Sequence, residues 1–195
     1  MNSLDEAYSI RNKNIIDIAI SFSAMNRVFE PGSKQKIARK FEQSLALLAG
    51  VGDKTNFEKI HTEFCEWFVQ NIFTAKKVLK NKLVKKSQTA SYGQAAKVFD
   101  VALKVYVYYC NLPDFESAAK LLPMLHSAVD TLMMENLKKK YPNENIKAET
   151  IQAVSKSDYA VLQKMVKQHI EDEFDKTILP VHYDDIMWYL LNRRA

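Results

Sequence analysis

The chain has 195 residues, a formal charge of +5, 47% hydrophobic and 26% charged residues, and a sequence pI near 9.0. This suffices for one domain, 1–195, with a buried core, excludes a disordered polyelectrolyte, and permits a polyanionic partner without requiring one. Four glycines and five prolines are few for a strand-and-turn architecture, and two lone cysteines form neither a disulfide framework nor a zinc pattern.

Ser3 can cap a first helix predicted over about 4–28, with Asp5 and Glu6 suiting its positive end. Ile15, Ile16, Ile18, Ala19, Phe22 and Met25 keep the helical period. Pro31 and Gly32 end it. Ser33 caps a second helix carrying Ile37, Phe41, Leu45 and Leu48, and Gly50 stops that one as a left-handed terminal residue. Thr55 to Glu58 read as a capping box opening a third helix, through Phe64, Trp67, Phe68, Ile72 and Phe73 towards Leu83.

Ser91 and Gln94 repeat the capping box ahead of a helix over 92–110. Gln94, Lys97, Asp100 and Lys104 are its polar exceptions, and with Gly93 and Tyr108 they share one stripe about 120° wide. A helix apolar on most of its circumference belongs at the centre of a bundle. After Leu112-Pro113, Asp114 caps a short helix, and Pro123 opens the next, which runs to Lys138, Lys139 and Lys140. A short helix from about Lys147, a longer one over 157–176 closed before Pro180, and a last one carrying Ile186, Met187, Tyr189, Leu190 and Leu191 complete the chain. The expected fold is all-α: a compact bundle of seven or eight helices around 92–110.

Four constellations carry candidate chemistry. Lys97, Asp100 and Lys104 lie at i, i+3 and i+7, so Asp100 can reach both lysines. With Gln94 in the first turn they form a candidate anion site, against a plain solvated stripe of intrahelical ion pairs. His126 and Asp130, at i and i+4 of the helix opened by Pro123, form a candidate acid–base pair; a structural His–Asp pair is the competing reading. Lys76, Lys77, Lys80, Lys82, Lys85 and Lys86 form a basic run able to neutralise phosphates, against a solvated helix end. Glu58, His61 and Cys65 share a face with donor types suited to a divalent ion. Phe57, Phe64 and Phe68 crowd the same helix, so the expected state there is a buried thiol, with no metal and no cofactor. His169 with Glu173, and His182 with Asp184 and Asp185, read as charged surface. Phosphate-loop, paired-His metalloprotease and nucleophile-elbow motifs are absent.

Tyr92-Gly93-Gln94-Ala95-Ala96-Lys97, followed by Asp100, Lys104 and Leu112-Pro113-Asp114, resembles a pattern in small uncharacterised bacterial helical proteins. There a Gly-Gln-Ala-x-Lys helix precedes a Leu-Pro loop. In that pattern Asn often stands at the place of Asp100, and a Pro precedes the apolar-Asp pair where this chain has Ala128. The resemblance covers about forty residues and attaches no activity. It implies that Lys97, Lys104 and Asp130 belong together.

The leading expectation is a cytoplasmic binding module whose basic surface engages a polyanion, above all nucleic acid. Lys76 to Lys86 would give nonspecific attraction, and Lys97 with Lys104 an enclosed contact. One alternative is an enzyme acting on a phosphate-bearing substrate, with Lys97 and Lys104 stabilising negative charge and His126 with Asp130 moving protons. Another is a non-catalytic subunit of a homo-oligomer or of a protein complex, joined through Trp188, Tyr189 and Leu190. The acidic N-terminus and short apolar runs predict neither a signal peptide nor a membrane span.

Overall fold

In the computed structural model the described residues are 3–79 and 82–192, with backbone alone for 77–79 and 82–85. Eight α-helices among them form an all-α fold: α1 Leu4–Phe22, α2 Ser33–Leu48, α3 Lys54–Asn71, α4 Tyr92–Leu103, α5 Phe115–Leu121, α6 Thr131–Lys140, α7 Lys156–Glu173 and α8 Pro180–Asn192. None of these helices is long and apolar enough to cross a membrane.

The central helix stands where its pattern puts it. Ser91 and Gln94 close the expected capping box, and nearly every residue of α4 is buried, packed against α1, α3 and α7. Phe99 on α4 stacks on Phe64 of α3 at 4.2 Å between ring centroids and meets Phe41 of α2 edge-on at 5.7 Å. From Lys104 to Tyr109 the helix widens into a π-helical turn. Asn111, with φ of 52°, ends it ahead of Leu112-Pro113, and Asp114 caps α5 as expected.

Several boundaries differ from the sequence reading. α1 ends at Phe22, because Asn26 turns its side-chain amide back onto the Ile20 and Ser23 carbonyls and Ala24–Val28 tightens into a 3₁₀ turn. The left-handed glycine is Gly32 at the entrance of α2, with φ of 83°, and not Gly50 at its exit. Asp53, two residues before Thr55, caps α3 by accepting the Asn56 N–H at 2.8 Å. Pro180 opens α8 where it was expected to close α7, and the segment after Lys147 holds only a 3₁₀ turn, Ile151–Ala153.

Two differences bear on the candidate site. α3 stops at Asn71 instead of running on to Leu83. Beyond it lie short strands, β1 Phe73–Thr74, β2 Lys77–Leu79, β3 Lys82–Lys85 and β4 Gln88–Thr89. β1 pairs antiparallel with β4, and β2 with β3. Val78 and Val84 are β-branched residues that favour an extended chain over a helix. The helix expected from Pro123 is also interrupted. Leu122–Met124 is a 3₁₀ turn, 125–130 runs without a helix, and Asp130 caps α6 by accepting the Met133 N–H. His126 and Asp130 therefore share no helix face.

Gly93 is fixed by a close approach. Its N–H donates to the Val154 carbonyl at 3.1 Å. An added Cβ would lie 2.5 Å from Val154 Cβ and 2.7 Å from the Ile151 carbonyl oxygen. In an open helix Gly→Ala stabilises by up to about 1 kcal/mol. Here Gly93→Ala should instead destabilise by about 1–3 kcal/mol, the usual scale of overpacking, read as a lower urea midpoint.

Candidate functional site

Beneath the surface, four elements converge on one polar cluster. α4 contributes Asp100, α3 contributes Glu58, His61 and Cys65 along one face, α7 contributes Tyr159, and the segment 125–130 contributes His126. Asp100, His61, His126 and Tyr159 are all buried. Asp100 accepts from both sides: its Oδ2 takes the Tyr159 hydroxyl at 2.8 Å, and its Oδ1 lies 3.0 Å from His61 Nε2. The same Tyr159 hydroxyl lies 2.8 Å from His126 Nδ1 and 3.2 Å from His61 Nε2.

Both imidazoles have partners on their outer nitrogens as well. His126 Nε2 meets Glu58 Oε1 at 2.8 Å, and His61 Nδ1 faces Cys65 Sγ at 3.8 Å. Aromatic rings pack round the cluster. His61 stacks on Tyr159 at 5.4 Å, and the two imidazoles are 4.7 Å apart between centroids.

Electrostatics separates the two histidines. Burial alone would lower the His61 imidazole, but Cys65 and the Asp100 carboxylate raise it to about 10. Burial dominates at His126 and lowers it, with the Glu58 contact only partly offsetting this. Burial also pushes the Tyr159 phenol well up, and the Asp100 carboxylate adds to the shift. Glu58, though partly buried, is held below the usual carboxylate range by His126 and by the Lys54 ammonium 3.0 Å away.

Two cavities open beside this cluster. One of about 370 Å³ is lined by Glu58, His61, His126, Tyr159 and a lysine rim. The rim is Lys156, Lys164 and Lys167. The other, about 730 Å³, shares His126 and Lys167 with it and adds Lys54, Glu171 and Lys176 among apolar residues. Lys156 pairs with Glu66 at 2.7 Å and Lys164 with Glu144 at 3.0 Å. Lys167 forms no ion pair among the described residues.

The stripe on α4 is divided among its neighbours. Asp100 reaches neither lysine. Lys97 pairs with Asp130 at 3.5 Å, and Lys104 is buried against Asp184 and Asp185, the latter at 2.9 Å. Gln94 turns its carbonyl back to the Ser91 N–H, so it caps the helix. Lys97, Lys104 and Asp130 do line one cavity of about 210 Å³, together with Asp184. The carboxylates there already match the two ammonium groups, which leaves no excess positive charge for an added anion.

His126 therefore works with Glu58 and Tyr159, and the expected His126–Asp130 pair does not form. His169 bonds the Tyr183 hydroxyl rather than Glu173, and His182 accepts the Leu179 N–H. Of the basic run, Lys76 and Lys86 are exposed. Lys80 and the side chains of Lys77, Lys82 and Lys85 lie outside the described residues. Sequence reasoning passed over Tyr159, whose neighbours signal only an amphipathic helix, and placed Asp100 with the wrong partners. The face shared by Glu58, His61 and Cys65 was the available signal.

Lys104 lends itself to a direct test. Two carboxylates hold it in its charged form, against the burial that would lower it. Lys104→Met would strand Asp184 without its counter-ion, and a broken buried pair costs about 3–5 kcal/mol. Lys97→Met, at a better solvated pair, should cost only about 1 kcal/mol or less; denaturant titration of both variants checks the contrast. Compared with protein-family models, with curated proteins and with solved structures, the chain matches none.

Proposed function

We propose that the protein is an enzyme acting on a phosphate-bearing small molecule, bound in the lysine-rimmed cavity beside the His61–Asp100–His126–Tyr159 cluster. One observation carries this reading. A cavity of about 370 Å³ has a cationic rim on one side and buried hydrogen-bonding groups able to move protons on the other. Its volume suits a small ligand. Lysines of α7 provide the compact positive charge that a phosphate needs.

The roles divide by position. Lys167, the rim cation without an ion pair among the described residues, would neutralise the phosphate, assisted by Lys156 and Lys164. His126 is the cluster group common to both cavities, and Glu58 on its outer nitrogen orients the ring. Tyr159 links that ring to Asp100 and His61, so a proton taken up at His126 has a bonded path inward. Such a row of donors and acceptors suits general acid–base work at a phosphate ester. This takes up the phosphate-directed enzyme that the sequence offered as an alternative to a polyanion-binding module, but moves its cation from Lys97 and Lys104 to α7, and its histidine partner from Asp130 to Glu58.

Calorimetric titration with inorganic phosphate, together with turnover of p-nitrophenyl phosphate, tests the reading. Lys167→Glu should weaken phosphate binding by at least about tenfold, since it puts a like charge beside the anion. Lys120→Glu changes an exposed lysine that, among the described residues, pairs only with Glu116 one turn away, and should leave binding unchanged. Absence of saturable phosphate binding, or equal binding by the two variants, would sink the proposal.

A further inference from the structure

The buried cluster holds fewer hydrogens than its contacts require. Four contacts run in series from Glu58 through His126, Tyr159 and Asp100 to His61. Each needs one hydrogen, whereas His61 places only one in this series whatever its protonation, through Nε2, and a neutral His126 and the Tyr159 phenol add one each, three in all. With the His126 hydrogen on Nε2, towards Glu58, the Nδ1 lone pair and the Asp100 carboxylate compete for the single Tyr159 proton. With it on Nδ1, a bare ring nitrogen faces the Glu58 carboxylate at 2.8 Å. A buried acceptor left unmatched is unfavourable, so a cation among these lone pairs would relieve the shortage.

We propose that His61, Asp100 and His126 bind one divalent first-row transition-metal ion, zinc being the best fit, with the Tyr159 hydroxyl as an adjacent oxygen donor. Three independent features support this. First, one ligand atom from each of the three residues lies within 4.8 Å of the others. The Tyr159 oxygen stands 2.8–3.2 Å from its three partners. Ligands about 2.0–2.1 Å from a tetrahedral zinc lie roughly 3.3 Å apart, so the set must draw together by at most about 1.5 Å to close on an ion.

Second, each imidazole is oriented from behind. Glu58 holds His126 Nε2 and Cys65 faces His61 Nδ1, so the remaining nitrogens turn towards Asp100 and Tyr159. An outer acceptor on the far nitrogen is how metal-binding histidines are usually fixed. Third, the donor chemistry is selective. Two imidazoles and a carboxylate suit zinc and its neighbours, whereas magnesium and calcium prefer all-oxygen sets. Entry is provided by the cavity that His61, His126 and Tyr159 line. What the ion would do rests on the function proposed above, where it would polarise a phosphate oxygen or a bound water. Its binding does not depend on that reading.

The full chain, purified without chelator, is assayed for metal by mass spectrometry, then stripped and titrated with Zn²⁺ and Co²⁺. The expected result is one equivalent of either ion, with visible Co²⁺ bands that Zn²⁺ abolishes and Mg²⁺ does not. Glu58→Gln, at a partly exposed side chain, should weaken Zn²⁺ by about 10–100-fold. His126→Gln should remove the Co²⁺ bands, with circular dichroism verifying that both variants fold. Failure of the stripped chain to bind either ion overturns the site, as does wild-type affinity in both variants. Lys167→Glu separates the two proposals, since it should keep the zinc and lose phosphate. Stoichiometric zinc without any phosphate response leaves the metal site and removes the enzyme reading. Phosphate turnover by metal-free protein keeps the enzyme reading and overturns the ion's part in it.

Discussion

A carboxylate buried in the middle of the central helix constrains everything around it. Asp100 is only 3% exposed, and an ionised group so placed is strongly unfavourable unless paired and hydrogen-bonded. Its partners come from outside α4: His61 from α3 and the Tyr159 hydroxyl from α7. These bonds therefore fix how two neighbouring helices sit against the central one. Apolar contact alone, such as Phe64 on Phe99, would tolerate rotation of a helix or a slip along its axis far better than three polar groups that must meet within hydrogen-bond distance.

The rest of the α4 stripe works in the same way. Gln94 closes the cap with Ser91, Lys97 meets Asp130 at the start of α6, and Lys104 meets Asp184 and Asp185 on α8. Lys97, Asp100 and Lys104 thus each dock a different part of the chain, while Gln94 secures the end of its own helix. Hydrophobic burial supplies the bulk attraction, and the polar contacts discriminate among packings of similar apolar area. The π-helical turn that begins at Lys104 lies where the helix leaves the His61–Asp100 layer for the α8 contacts. Such turns widen the backbone locally and are often found near functional sites.

Placement of the candidate site follows from this architecture. Its inner groups stand on α3, α4 and α7, whose packing is fixed, while His126 comes from a stretch without a helix that lies between the 3₁₀ turn at Leu122–Met124 and α6. The exposed side is furnished by α7, which presents Tyr159 inward and Lys156, Lys164 and Lys167 towards the cavity. One amphipathic helix thereby joins the buried polar cluster to the cationic rim.

Local chemistry made much of the fold legible. The apolar run of α4, its Ser91–Gln94 cap and the Asp114 cap are written in adjacent residues, and the all-α composition follows from the scarcity of glycine and proline. Glu58, His61 and Cys65 could be placed on one helix face for the same reason, since helical spacing alone brings them together. The partners of that face could not be read, because Asp100 and Tyr159 lie 39 and 98 residues from His61 along the chain. The i, i+3 and i+4 rule offered Asp100 two nearby lysines, yet burial turned it towards a histidine and a phenol on other helices. His126 and Asp130 had helical spacing but no helix, because the chain opens out between the 3₁₀ turn and the Asp130 cap. The sequence by itself determined that the fold is all-α and which helix lies at its centre, though not where α3 gives way to strands or where the chain opens out after Met124. Only the tertiary structure decided which polar groups meet, since that depends on helix packing between residues far apart in the chain.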